Sequence, residues 1–180
     1  MQGEPLVSFL VISYKHKKYI DDCFESILAQ TYTNMEILYL DDMSDDGTFE
    51  KACEYKVRLE EKFRKAIFIK NNSNLGVVRN LNKLIEICEG EYIKFLAADD
   101  FLLSDSVEKL VNFMSEFPQH DMVYSNGVEG NEDTHFPVTI LNDLGYIYQE
   151  KQLSGILLFE ALYARDFILA PGVIVKKTTY

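Results

Sequence analysis

The sequence contains no tryptophan, only 4 prolines and only 3 cysteines among its 180 residues. Cys23, Cys53 and Cys88 are far apart along the chain. An odd number of cysteines without a CxxC pair gives neither a disulfide framework nor a cysteine metal site. Each cysteine lies among apolar residues of a predicted helix, so we expect three buried free thiols, which suits a reducing cytosol.

Positive charge and long apolar runs are also scarce. Lys and Arg number 18 against 29 Asp and Glu, for a formal net charge of -11. This balance argues against a nucleic-acid backbone or an anionic membrane surface as the main partner, but not against a small anionic ligand. No apolar run approaches the roughly 18 residues of a membrane span, and the N-terminus lacks the pattern of a signal peptide.

Several well-known motifs are missing. The chain has no GxGxxG, no GxxxxGK[ST] and no GxSxG, so it lacks the dinucleotide fingerprint, the P-loop and the nucleophile elbow. His16, His120 and His135 lie in predicted loops far apart in the sequence. We therefore assign none of them a catalytic or metal role.

Strands and helices alternate along the chain up to residue 126, which predicts a doubly wound α/β sheet. The predicted strands cover residues 6–13, 36–40, 66–70, 92–96 and 122–125, and the predicted helices cover 20–28, 48–63, 76–88 and 105–117. The inward face of the second helix is predicted to be Phe49, Ala52, Cys53 and Val57; that of the third, Val77, Val78, Leu81, Leu84, Ile85 and Cys88. Beyond residue 126 we expect an acidic loop at 127–134, strands at 136–141 and 172–176, an irregular stretch at 142–153 and a helix at 157–163.

Three predicted strands end in side chains suited to binding. They are followed by Ser13-Tyr14, by Asp41-Asp42 and by Asp99-Asp100, and neighbouring parallel strands place such ends along one edge. A ring beside carboxylates suits a nucleobase, and carboxylates beside a diphosphate suit Mg²⁺ or Mn²⁺. Arg79 could add a donor fork for a phosphate. The alternatives are that Tyr14 only packs, that the acidic residues only cap helices, and that Arg79 is an ordinary surface residue.

Together these blocks resemble family 2 glycosyltransferases, enzymes of the GT-A fold that use nucleotide-sugar donors. The blocks are Pro5-Leu6-Val7-Ser8 through Ile12-Ser13-Tyr14 with Tyr19-Ile20, Ser26 to Tyr32, Glu36-Ile37 with Asp41 to Thr48, Asn74-Leu75-Gly76 with Arg79-Asn80, and Gly90 to Ile93 with Asp99-Asp100. The resemblance covers nearly the whole chain. It implies a Rossmann-like, mostly parallel sheet flanked by helices and truncated at its C-terminus.

The resemblance also implies roles for single residues. It places the nucleotide beside Ile12, Ser13, Tyr14, Asp41, Asp42, Arg79 and Ala98, with Tyr14 beside the base and Asp42 hydrogen-bonded to it. Asp99 matches the last carboxylate of an Asp-x-Asp motif that binds Mn²⁺ or Mg²⁺, and Asp100 is a second candidate ligand. Ala97 replaces the first carboxylate of that motif, which puts the arrangement of the donor in doubt.

The implied activity is transfer of a sugar from a nucleotide-diphosphate sugar, with UDP favoured, to a hydroxyl of a glycan or lipid-linked acceptor. Inversion, metal dependence and a place in cell-surface or extracellular polysaccharide synthesis are expected, in the cytoplasm or at the inner face of the membrane. The alternatives are a non-catalytic nucleotide-binding or interaction module of the same fold, and a signalling receiver domain. The latter needs an acidic pair after the first strand, where this chain has Ser13-Tyr14.

We expect a single domain over 1–180, with residues 1–126 forming the donor half and 127–180 the incomplete start of the acceptor half. No catalytic residue is identified. The resemblance puts the acidic general base of inverting members beyond Tyr180, because Asp143, Glu160 and Asp166 precede the matching position. On this reading the chain is a fragment of a longer enzyme.

Overall fold

The computed structural model describes residues 3–125, 127–130, 137–141 and 170–179. Its strands are β1 (Val7–Ser13), β2 (Met35–Asp41), β3 (Lys65–Lys70), β4 (Tyr92–Ala97), β5 (Met122–Tyr124), β6 (Gly127–Gly130), β7 (Pro137–Leu141) and β8 (Val173–Lys176). Its helices are α1 (Ile20–Leu28), α2 (Thr48–Cys53), α3 (Lys56–Lys62), α4 (Val77–Ile87) and α5 (Ser106–Glu116). The predicted α/β class is confirmed.

Six strands form one sheet in the order β3-β2-β1-β4-β8-β5, and β1 to β4 run parallel. β1, β2 and β3 lie side by side in the order of the chain. The connection through α4 then leads from β3 to β4, which pairs with the other side of β1. The strand order therefore reverses between β1 and β4. In open α/β sheets such a reversal opens a crevice at the carboxyl ends of the strands, where ligands bind.

The sheet has a hydrophobic core on each face because successive side chains of a strand point to opposite sides. Phe9 and Val11 of β1 belong to a large cluster that also contains buried residues of α1, α2, α3 and α5. Leu10, between them, belongs to a second cluster with Leu84 of α4. Helices thus cover both faces, which is the doubly wound arrangement expected from the sequence.

The prediction of a single helix over 48–63 is wrong, since two helices, α2 and α3, form there and are separated around Tyr55. At the break the Tyr55 ring stacks on Phe24, with centroids 5.3 Å apart, and its hydroxyl donates to Asp21 over 2.5 Å. Restarting the helix changes which residues face the sheet. Leu59 is buried, whereas Val57 is 63% exposed, and Cys53 is exposed as well. The prediction that Cys53 is a buried thiol is therefore also wrong.

The predicted inward face of α4 needs a similar correction. Leu84 and Cys88 are buried as expected, but Val77 and Val78 are 59% and 71% exposed. Asn80 is buried in the first turn instead. The reason is that this end of α4 lies at the carboxyl edge of the sheet, where a polar network replaces the apolar core.

The returning part of the chain joins the main sheet through β8, which pairs antiparallel with both β4 and β5. Residues 127–130, predicted as loop, instead form β6 and pair with β7, a strand that was expected. The predictions for 142–153 and 157–163 lie outside the described residues. Among the helices that the structure describes, none has the length and hydrophobicity needed to cross a bilayer.

Candidate functional site

Backbone hydrogen bonds continue the parallel ladders past the ends of the strands. The amide of Asp42 donates to the carbonyl of Ser13 over 2.9 Å, and the amide of Ala98 donates to the carbonyl of Ile12 over 2.8 Å. Asp41 pairs with Ser13 in the register of β1 and β2. The structure thus brings five of the predicted site residues together around the end of β1.

Asp41 and Ser13 are buried in a polar network below the surface of this edge. Ser13 Oγ donates to Asp41 Oδ2 over 2.9 Å and lies 2.7 Å from the Tyr39 hydroxyl. Asp41 also accepts from the amide and hydroxyl of Ser44, over 2.8 and 2.6 Å. Ser44 Oγ in turn accepts from the Lys15 amide over 2.8 Å. Through Ser44 this network joins the loops after β1 and β2. A direct contact of Ser13 or Asp41 with a nucleotide stays a prediction.

The tips of both loops are exposed at the edge of the sheet. Tyr14 is 44% exposed and Met43 is 50% exposed. Lys15 and Met43 have φ angles of 59° and 67°, a left-handed conformation that few residues other than glycine adopt. Held in this way, the Tyr14 ring is partly exposed and has Lys15 Nζ 5.5 Å from its centroid, and stacking on a base stays a prediction.

Asp42 differs from Tyr14 in being only 5% exposed. Its Oδ1 accepts from Asn71 Nδ2 over 2.9 Å and from the Leu75 amide over 2.8 Å. Its Oδ2 accepts from the Gly76 amide over 2.8 Å. The carboxylate therefore organises the turn that leads into α4 while it lies beside Ser13 at the ligand-binding edge.

The same hydrogen bonds set the charge state of Asp42. Burial by itself raises the pKa of this carboxyl group. Donation from the Leu75 and Gly76 amides and from neighbouring asparagine side chains outweighs that effect and holds the pKa below its ordinary value. Asp42 is thus an ionised acceptor at neutral pH.

Replacing Asp42 with asparagine is expected to destabilise the protein by about 2 kcal/mol at neutral pH, because one donor loses its acceptor and faces an NH₂ group. A carboxyl group with a lowered folded pKa contributes stability above its unfolded value, about 3.9, and loses it as pH falls through the folded pKa. The difference between the two proteins should therefore shrink in acid. Urea unfolding at neutral and acidic pH measures it.

Asp45→Asn is the matched control for this experiment, because Asp45 is exposed and pairs only at the surface with Lys15. It should change the free energy of unfolding by about 0.5 kcal/mol or less. An Asp42→Asn protein as stable as Asp45→Asn at neutral pH would contradict the assigned hydrogen bonds.

Asp99 and Asp100 follow β4 on the other side of β1, and here a histidine joins them. The Asp99 side chain is 45% exposed, and its Oδ1 lies 3.6 Å from Nδ1 of His16. That ring nitrogen is buried and has no hydrogen-bond partner among the described residues. His16, to which the sequence assigned no role, thus lies at the predicted metal site.

These residues fit a divalent cation shared with a ligand. Burial raises the pKa of Asp100, and the charge of Asp99 raises it further; a cation would relieve this repulsion. Within the described residues, no group of three or more His, Cys, Asp and Glu side chains is arranged to hold a metal by itself. Mg²⁺ and similar ions commonly bind through one or two carboxylates, with substrate phosphates completing the shell.

Two further predictions concern Arg79 and the general base. Arg79 is an exposed residue in the first turn of α4, two residues after the exposed Val77, and its contact with a phosphate stays a prediction. The acidic residues considered as general bases, Asp143, Glu160 and Asp166, lie outside the described residues.

The sequence missed four residues that the site uses: Ser44, Asn71, Asn80 and His16. The first three are buried polar residues, two in turns and Asn80 in α4, and local composition alone does not distinguish a buried asparagine from an exposed one. A signal did exist for His16, because it follows Tyr14 by two residues on a loop already placed at the ligand-binding edge.

The chain matches known proteins in sequence and in fold. The family model described as Glycosyl transferase family 2 matches residues 8–167. TuaG of Bacillus subtilis (strain 168), named as a teichuronic acid biosynthesis glycosyltransferase, is 31% identical over 146 residues, covering 78% of this chain and 56% of TuaG. The chain spans about half the length of the curated relatives it matches.

Solved structures of glycosyltransferases share the fold. S. aureus TarS 1-349 in complex with UDP-GlcNAc superposes with a TM-score of 0.67 at 20% identity, over 96% of this chain and 45% of that one. The mannosyltransferase PcManGT from Pyrobaculum calidifontis, in complex with GDP-Man and Mn²⁺, gives 0.63 at 18% identity, over 74% and 38%. At this identity the likeness establishes a common GT-A fold and nothing more. The family model matches most of the length of the chain, which therefore belongs to glycosyl transferase family 2.

Proposed function

We propose that this chain binds the donor in a glycosyltransferase that moves a sugar from a UDP-sugar to an acceptor hydroxyl, with inversion and with Mn²⁺ or Mg²⁺. The observation that carries the proposal is the placement of Tyr14, Asp42, Asp99 and Asp100 around the end of β1, at the reversal of strand order. An exposed ring, a buried acceptor and an acidic pair at one crevice match the parts of a nucleoside diphosphate.

Each side chain has a distinct task in this proposal. The Tyr14 ring stacks on the base, and the Asp42 carboxylate accepts a hydrogen bond from a base N–H. Asp99 and Asp100 hold the cation, and Arg79 donates to the diphosphate. When bound, the cation supplies Lewis-acid chemistry that neutralises charge on the departing nucleoside diphosphate.

The proposed product is a cell-surface or extracellular polysaccharide or glycan. TuaG, a relative of this chain, is named for teichuronic acid biosynthesis, which supports that class of acceptor. Free thiols at Cys23 and Cys88 fit a reducing compartment, so the proposed location is the cytoplasm or the inner face of the membrane.

Metal-dependent nucleotide binding tests the proposal. Calorimetry should find that UDP binds the wild-type chain about tenfold more tightly with Mn²⁺ than without it, a gain of about 1.4 kcal/mol. Asp99→Ala should lose this gain, because a carboxylate that holds the cation is gone. The matched control is Asp121→Ala, since Asp121 precedes β5 at the opposite edge of the sheet. An Asp99→Ala protein that keeps the full Mn²⁺ effect would remove Asp99 from the metal site.

A further inference from the structure

The ring of His16 has a buried nitrogen that nothing in the described part of the chain satisfies. His16 Nδ1 is shielded from solvent and forms no hydrogen bond with any described residue. Asp99 Oδ1 lies 3.6 Å from it, which is too long for a hydrogen bond. A buried polar atom without a partner destabilises a folded protein, so its presence calls for an explanation such as a bound ion.

The backbone around His16 holds the ring beside the acidic residues. The Lys15 amide donates to Ser44 Oγ over 2.8 Å, and the His16 carbonyl accepts from the Tyr19 amide over 2.9 Å. Because β1 and β4 are paired, the loop after β1 lies next to the residues that follow β4. His16 therefore reaches Asp99 from a loop that is fastened on both sides of the histidine.

We propose that His16 binds the divalent cation through Nδ1, together with Asp99 and the phosphates of the donor. This inference rests on the proposed function, in which Asp99 holds the cation. Ala97 and Ala98 precede Asp99 and have no ligand atoms in their side chains. The loop after β1 thus supplies a ligand that the end of β4 does not.

The distance and the chemistry both suit a shared ion. Neighbouring ligands of an octahedral ion, each about 2.1 Å from it, lie about 3 Å apart. Because the Asp99 side chain is 45% exposed, a small rotation brings its Oδ1 to that distance from Nδ1. Imidazole nitrogen is among the commonest metal ligands in proteins, whereas Mg²⁺ prefers oxygen. Of the two ions in the proposed function, this ligand set therefore favours Mn²⁺.

Electron-spin-echo spectroscopy of bound Mn²⁺ tests the inference without measuring sugar transfer. The chain is produced with ordinary histidine and with histidine that carries the heavy nitrogen isotope, and each sample is saturated with Mn²⁺ and UDP. A histidine ligand should give nitrogen modulation that changes with the isotope. His16→Gln should lose this modulation and bind Mn²⁺ about tenfold more weakly.

The matched controls are His120→Gln and His135→Gln, which replace the other two histidines of the chain. Both variants should keep the modulation and the wild-type affinity for Mn²⁺. If His16→Gln does not fold, modulation that survives in both controls still assigns the nitrogen to His16, because no other histidine remains.

Two results would overturn the inference and leave the proposed function standing. One is a wild-type complex with Mn²⁺ and UDP that shows no histidine modulation, which would make His16 only a packing neighbour of Asp99. The other is modulation that persists in a folded His16→Gln protein. Absence of Mn²⁺ binding to the wild-type chain with UDP would overturn the inference and also the metal role in the proposed function.

Discussion

Replacing Gly90 with alanine is expected to destabilise the fold by about 3 kcal/mol, because the added carbon has no space. A Cβ at this position would lie 2.4 Å from Ser8 Oγ, 2.5 Å from the Ser8 amide nitrogen and 2.9 Å from the Leu6 carbonyl oxygen. Gly90 also donates from its amide to Ser8 Oγ over 2.7 Å and to Glu36 Oε1 over 3.2 Å. The clash would therefore separate the start of β4 from β1.

Urea unfolding of two further variants sharpens this prediction. Gly3→Ala should leave stability unchanged, since nothing lies within 4 Å of a Cβ there. Removing the Ser8 hydroxyl in a Ser8→Ala, Gly90→Ala double variant should not restore stability, because the backbone contacts with Ser8 and Leu6 remain. A Gly90→Ala protein as stable as Gly3→Ala would show that β4 can move away from β1 at little cost.

The stability of the wild-type protein relative to Lys94→Met is expected to rise by about 4 kcal/mol between about pH 7 and about pH 10. Lys94 of β4 is fully buried. Its Nζ donates to the carbonyl of Pro171 and, over 3.1 Å, to the carbonyl of Val173. Burial lowers the pKa of Lys94 from its ordinary 10.5 to about 7, and Asp100 opposes this change.

The sign follows from counting protons. Between the folded and unfolded pKa values, the unfolded chain keeps the proton and the folded chain releases it. The free energy of unfolding therefore rises with pH across this window, by about 1.4 kcal/mol per pH unit. Below the folded pKa both states are charged, and the cost of burying the ammonium is fully present.

Lys94→Met removes this titration while keeping an unbranched apolar side chain in the same space. Tyr39 and Cys23 have raised pKa values because they are buried, and they lower stability at alkaline pH in both proteins alike. The comparison between the two proteins cancels that common effect. A constant difference in urea unfolding from neutral to alkaline pH would mean that Lys94 keeps an ordinary pKa.

The sequence predicted the sheet well because parallel strands are buried on both faces. In β1 and β2 nearly every residue is buried, and a run of β-branched and aromatic residues is the direct result. Helix faces were predicted less well. Val57 and Val77 were predicted to face the core because each fits the apolar spacing of its helix. Val57 is exposed because the helix is interrupted at Tyr55, and Val77 is exposed because a polar network lies beneath α4. Periodicity reports which residues share a face, not which neighbour covers it.

The residues of the candidate site also divide into those that the sequence predicted and those that it missed. Tyr14, Asp42 and Asp99 were predicted because strand ends align at one edge of a parallel sheet, a rule that needs no side-chain geometry. His16 and Asn71 were missed because their importance comes from contacts with Asp99 and Asp42, which are 83 and 29 positions away in the sequence.

The sequence by itself determined the α/β class, the edge of the sheet at which polar side chains gather and the chemical kinds of side chain that meet there. These follow from local patterns of burial and from the order of the elements along the chain. Only the tertiary structure decided how far each of those side chains is buried and which hydrogen bonds it makes. Asp41 is enclosed by Ser13 and Ser44, Tyr14 is partly exposed, and Asp42 is buried and accepts from the turn before α4. The physical reason is that these hydrogen bonds join distant segments, and no local pattern records them.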